Sequence, residues 1–172
     1  MKLRHLFDLH VDVDPPVSTG SGPYGRRVFY PLSGGKFEGA FEGTTLRGIV
    51  VPGGGDWVLI GDDVSHLDIR ITLQTDDGFA IYLQAFGVLK VNEAVRRRIE
   101  NPDLITEYGE TYFMTQPRFE TGDQVDASGS TKVNPYKGLN DLVVVGQGRL
   151  GPSFPGYMAA RWLETKSFIV EN

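Results

Sequence analysis

Asp56 stands at the end of Gly53–Gly54–Gly55 and directly before Trp57. A backbone without side chains lets another molecule approach, and an indole limits hydration of a neighbouring carboxylate. The carboxyl pKa is therefore expected to rise toward a value useful in an acid or base. The plainer reading is an Asp that caps a glycine turn through backbone hydrogen bonds. Asp68 and Arg70 form a second charged set, spaced to share one face of a strand. Glu120 adds a carboxylate, and Tyr82, Tyr108 and Tyr112 add phenols that serve proton transfer or, as aromatic residues on strands more often do, fill a core.

Other chemistries find less support. The chain has no Cys, which removes thiolate nucleophiles, disulfides and Cys-based zinc sites together, and it has no G-x-S-x-G elbow. His5, His10 and His66 lack metal-ligand spacing, so no metal is expected. Gly20–Ser21–Gly22–Pro23–Tyr24–Gly25 matches G-x-G-x-x-G as a string. A dinucleotide site needs a helix to begin there, whereas Arg26–Pro31 reads as a strand, so no nucleotide cofactor is expected. Seventeen basic and 22 acidic residues give a net charge of −5, with the basic ones scattered apart from Arg96–Arg98, so nucleic acid is not an expected partner. No run approaches the ~20 apolar residues of a membrane span, and the N-terminus has no continuous apolar signal core. A cytoplasmic location follows by default.

The 172 residues, 40% hydrophobic and 23% charged, fit one domain, 1–172, with an ordinary core. Most segments alternate with period two. Strands are predicted over Leu3–Val13, Arg26–Pro31, Thr44–Val51, Trp57–Ile60, His66–Thr75, Phe79–Val91, Thr111–Pro117, Leu139–Leu150 and Tyr157–Val170, with Gly34–Gly35 and Gly53–Gly55 between them. Only Val91–Glu100 reads as a helix, with Asn92 as N-cap and Asn101–Pro102 as stop. Asp123–Lys137 is expected to be a mobile loop. Many short strands and one short helix point to an all-β fold, a barrel or sandwich.

Asp77–Gly78 sets the expected geometry of the charged set. As the two central residues of a type I′ turn they would place Asp68 and Arg70 opposite Gly87 and Ala85, leaving space above them. Asp68 and Arg70 would then project into a barrel lumen; the bland alternative is a solvated outer face. In Leu142–Arg149, Gly146 and Gly148 share a face with Val144, marking either barrel curvature or the approach of a ligand.

In order along the chain, Gly34–Gly35–Lys36–Phe37–Glu38–Gly39, Leu46–Arg47–Gly48, Gly53–Gly54–Gly55–Asp56–Trp57, Leu67–Asp68–Ile69–Arg70 with Asp77–Gly78, Pro117–Gly122 and Tyr136-x-x-Leu139–Asn140 resemble the domain of unknown function 3237 family over nearly the whole chain. The resemblance implies a closed antiparallel β-barrel similar in kind to allene oxide cyclase and dirigent barrels, which bind apolar small molecules in the lumen and guide cyclisation or coupling. It carries over the motif residues Arg26, Gly35, Gly39, Gly48, Asp56, Trp57, Asp68, Arg70, Gly78, Phe119, Glu120 and Asn140. Gly55 stands where the pattern has Ala, and Gly138 where it has an aromatic residue, a change expected to widen a pocket mouth. The expected function is a cofactor-independent isomerase, cyclase or lyase acting on an apolar, aromatic or polyketide-like ligand. Asp56 or Glu120 would be acid or base and Arg70 the oxyanion stabiliser, with Trp57 and Tyr112 as walls and Asp68, Arg26, Phe119 and Asn140 as further contacts. The competing expectation is a binding or scaffold barrel without turnover, in which Asp68 and Arg70 pair structurally. A homo-oligomer is left open.

Overall fold

The structure, a computed structural model, describes residues 1–172. Its strands are β1 (Lys2–Val13), β2 (Val17–Gly22), β3 (Gly25–Phe41), β4 (Thr44–Ile60), β5 (Val64–Thr75) and β6 (Ala80–Lys90); helix α1 (Glu93–Glu100) follows, then β7 (Phe113–Glu120), β8 (Gln124–Val125), β9 (Thr131–Lys132), a 3₁₀ turn over Lys137–Asp141, β10 (Val144–Leu150) and β11 (Trp162–Glu171). Eight of them run in the order β1-β11-β10-β7-β6-β5-β4-β3, and β3 pairs back onto β1. The sheet is thus the closed antiparallel barrel expected, with one short helix.

Closure depends on strands longer than the sequence suggested. Arg26–Pro31 is only the first part of a 17-residue β3, whose second part turns to β1. Thr44–Val51 and Trp57–Ile60 join into a 17-residue β4. The glycine clusters that read as breaks are bulges inside these strands. Between Val51 and Gly55 the β4–β5 register shifts, and Gly53 there has φ of 109°, a left-handed conformation that favours glycine. Gly55 is covered by the Phe29 ring, which a Cβ would meet at 2.1 Å, so the glycine that replaces the expected Ala makes room for that ring.

The β5–β6 hairpin differs from expectation by one residue. Thr75 N–H donates to Phe79 O, Gly78 N–H donates to Thr75 O, and Gly78 has φ of 89°. The loop is therefore the three residues Asp76–Gly78, a type I turn followed by a left-handed glycine, and not a two-residue type I′ turn. Asp68 consequently faces Phe86 and Arg70 faces Gln84, while Leu67, Ile69, Ile71 and Leu73 oppose Gly87, Ala85, Leu83 and Ile81 and fill the lumen. Gly146 and Gly148 on β10 accommodate Thr115 and Phe113 of β7, whose side chains a Cβ would meet at 2.2 and 2.4 Å. Packing, with no ligand, accounts for that glycine face.

One part of the lumen is closed by aromatic side chains, with Phe7 edge-on to Phe37 and Phe119 at centroid distances of 6.0 and 5.9 Å. The part beside Asp56 is bounded by β3 and β4 and capped by α1 and the segment 151–160. Asn92 caps α1 as expected, accepting from Val95 N–H at 3.2 Å. Asp123–Lys137, expected as a mobile loop, is tied down by the β8–β9 hairpin, by Asn134 donating to Thr121 and Gly122, and by Lys137 pairing with Asp123 at 2.8 Å. Gly138 lies against the buried Phe41 ring and not at a pocket mouth.

Candidate functional site

Strand alternation separates Asp56 from its neighbour Trp57. Asp56 points inward and is 3% exposed; Trp57 lies on the outer face, its ring 4.8 Å from Phe29 and 5.5 Å from the Arg70 guanidinium. The indole is therefore not the wall of the Asp56 site. That wall is aliphatic and aromatic: Val58, Leu67, Phe113, Leu150 and Leu163 from the barrel, with Val95 and Met158 from the cap, enclose a cavity of 70 Å³ whose other polar residues are Ser65 and Tyr30.

The β4–β5 ladder opens beside Asp56, and its carboxylate fills the gap: Asp68 N–H donates to Asp56 Oδ1 at 3.0 Å. That is the single protein hydrogen bond to the group, so Oδ2 is left to the cavity. Burial drives the Asp56 pKa up from 3.8 to about 7; the Asp68 N–H opposes the rise and the Asp68 charge adds to it. Burial also raises Tyr30 to about 12, with the Asp56 charge contributing and Arg26 opposing. Sequence reasoning passed over Tyr30.

Asp68 and Arg70 sit on the convex outer face, contrary to the lumen position expected. Arg70 Nη2 donates to Asp68 Oδ2 at 3.0 Å, and the pair is partly exposed. Exposed pairs of this kind contribute about 0.2–1 kcal/mol. Arg70→Gln is accordingly expected to lower unfolding free energy by about 1 kcal/mol or less in urea titration, and a loss several times larger would show the pair to be structural in a stronger sense.

The remaining candidates scatter. Glu120 is exposed on the outer face of β7, opposite Tyr82. Tyr112 is exposed, with Lys90 5.1 Å from its ring centroid, and Phe119 is buried in the aromatic cluster away from the cavity. Asn140 clasps Thr121, accepting from its N–H at 3.0 Å and donating to its carbonyl at 2.9 Å. Arg26 is exposed in an outer groove of 450 Å³ that shares Tyr30, Ile60, Met158 and Ala159 with the Asp56 cavity. The largest concavity, 810 Å³, is an open groove on the outside of the barrel. There Arg149 lies against Tyr108 and pairs with Glu164 at 2.6 Å, and Arg47 pairs with Asp76 at 2.7 Å. Lys36, Glu38 and Lys166 line the same groove without ion-pair partners. Asp56 is the carboxylic residue that is itself buried, and on the outer face Asp68 Oδ1 is a buried oxygen without a hydrogen-bond partner.

Fold and site together define a closed antiparallel barrel with an apolar lumen cavity and one carboxyl. The chain belongs to the DUF3237 family, described as proteins of unknown function, whose model matches residues 1–168. A UPF0311 protein of Clostridium acetobutylicum is 30% identical over 123 residues, covering 70% of this chain and 75% of the relative. A UPF0311 protein of Rhodopseudomonas palustris is 28% identical over 71% of this chain and 77% of its own length. Among solved structures, a protein of unknown function from Rhodopseudomonas palustris superposes with TM-score 0.78 at 23% identity, covering 99% of this chain and 97% of that one. A β-barrel-like protein from Acinetobacter baumannii superposes with TM-score 0.71 at 25% identity, covering 99% and 96%. A structure described as an enzyme from Penicillium herquei superposes with TM-score 0.60 at 17% identity, covering 99% and 94%. No helix of the chain is long and apolar enough to cross a membrane.

Proposed function

We propose that the protein is a cofactor-independent acid–base catalyst, an isomerase, cyclase or lyase, acting on an apolar small molecule in the lumen cavity. The observation that carries this is Asp56, a carboxyl buried among apolar side chains with one oxygen unpartnered and a pKa near neutrality. At pH 7 both its forms are populated, so it takes a proton from one atom of a bound molecule and gives it back to another without leaving the site. The barrel enzyme of Penicillium herquei supports the reading at the level of fold. Arg70 and Glu120 take no part, since both face outward.

Turnover of an apolar aromatic and polyketide-like compound panel tests this. Asp56→Asn is expected to fold normally and to lose roughly 10²–10⁴ of turnover. Unchanged turnover by folded Asp56→Asn would refute the assignment.

A second reading is favoured by the small size of the lumen cavity and by the Asp68–Arg70 pair: a barrel that binds without turnover. The 70 Å³ cavity is well below the ~300–1,000 Å³ typical of drug-sized ligands, so a larger molecule must displace the cap. That reading requires every bound compound of the panel to be recovered unchanged.

A further inference from the structure

We propose that Tyr30 is the hydrogen-bond donor that completes the Asp56 site, and that the two together act on neutral ketones bearing an enolisable α C–H. The proposal rests on the reading of Asp56 as the proton-transfer group and names its partner and substrate class.

Tyr30 and Asp56 are directly opposed in the antiparallel β3–β4 register, which places their Cβ atoms on one face at about 4.5–5.5 Å. Both line the cavity. No protein group hydrogen-bonds the Tyr30 phenol. With its pKa pushed up by burial and by the Asp56 charge, the phenol keeps its proton when Asp56 is ionised. The pair thus offers a base and a neutral donor to one cavity from adjacent strands, without a hydrogen bond between them.

The surroundings select the substrate. No cationic side chain lines the cavity, so a carboxylate or phosphate there would meet the Asp56 charge with nothing to offset it. A neutral carbonyl gives Tyr30 an acceptor, and an adjacent C–H gives Asp56 a proton. Tyr30 also lines the outer groove, so the ketone reaches the pair from that side, past Met158 and Ile60.

The step is balanced and redox-neutral. Asp56 carboxylate takes the α-proton, the C–H electron pair becomes the C=C bond of the enolate, and the carbonyl π pair moves to oxygen, where the Tyr30 O–H stabilises it. Protonated Asp56 then returns the proton to the α-carbon, or to the far carbon of a conjugated system, and the carbonyl re-forms.

The test is α-hydrogen exchange of cyclohexanone in D₂O, followed by NMR with wild type, Tyr30→Phe and Asp56→Asn, each checked for an unchanged fold. Wild type is expected to accelerate exchange. Tyr30→Phe is expected to lose roughly 10²–10³ of that acceleration, the usual effect of removing one donor to a developing oxyanion, and Asp56→Asn to lose it all. Exchange abolished by Asp56→Asn but untouched by Tyr30→Phe would overturn the role of Tyr30 and leave the Asp56 reading standing. No acceleration by wild type would overturn the ketone class, while the Asp56 reading would still be judged by turnover on the panel.

Discussion

Replacing Asp56 by Asn is expected to raise the melting temperature at pH 8 by on the order of 10 °C relative to wild type, and to leave it nearly unchanged at pH 4. The Asp56 pKa lies at about 7 in the fold against 3.8 ordinarily, with burial as the main cause. Between these values the folded state binds more protons than the unfolded one, so stability falls as pH rises. At about 1.4 kcal/mol per pH unit, the ionised carboxylate costs the fold roughly 4 kcal/mol above pH 7. Asn keeps an oxygen for the Asp68 N–H and has no charge to bury. Thermal melts of both proteins from pH 4 to pH 8 check this. A difference that stays constant across the range would mean that Asp56 titrates like an ordinary carboxyl.

Arg98→Ala is expected to cost roughly 3–5 kcal/mol, read from urea unfolding, because it leaves a void and strips two carbonyls of their donors. Arg98 is fully buried. Its Nε and Nη2 donate to Gly151 O and its Nη1 donates to Met158 O at 3.0 Å, while its own carbonyl accepts from Ser153 Oγ at 2.6 Å. These bonds fasten the segment 151–160 to α1, and both line the Asp56 cavity. Burial lowers the Arg98 pKa to about 10, which leaves the guanidinium charged at neutral pH. Amide exchange in 151–160 should accelerate in the variant. A change within about 1 kcal/mol, with protection intact, would show that the cap is held by its apolar contacts alone.

The barrel was legible because alternation in Leu3–Val13, His66–Thr75 and the glycine-punctuated segments is a local signal. Its inside was less so. The face of β5 that enters the lumen depends on one residue of loop length, and reading Asp77–Gly78 as the whole turn moved Asp68 and Arg70 inward. The apolar positions Ile81, Leu83 and Ala85 of β6 carried the correction, since matching them to Ile69, Ile71 and Leu73 selects the observed register. Asp56 stood out locally, through three glycines and a Trp, but the bulge at Gly53–Gly55 decides that the carboxylate faces in and the indole out. Tyr30 carried no such mark. Its importance comes from pairing with a residue on the next strand, past bulges in β3 and β4 that read as strand breaks.

The most direct measurement is the ¹³C NMR titration of the Asp56 carboxyl, assigned by its disappearance in Asp56→Asn. A midpoint at about 7 is the result expected of a carboxyl held in the apolar cavity and poised for proton transfer. A midpoint near the ordinary 3.8 would mean that the carboxylate is solvated, and would contradict its assignment as the acid–base group.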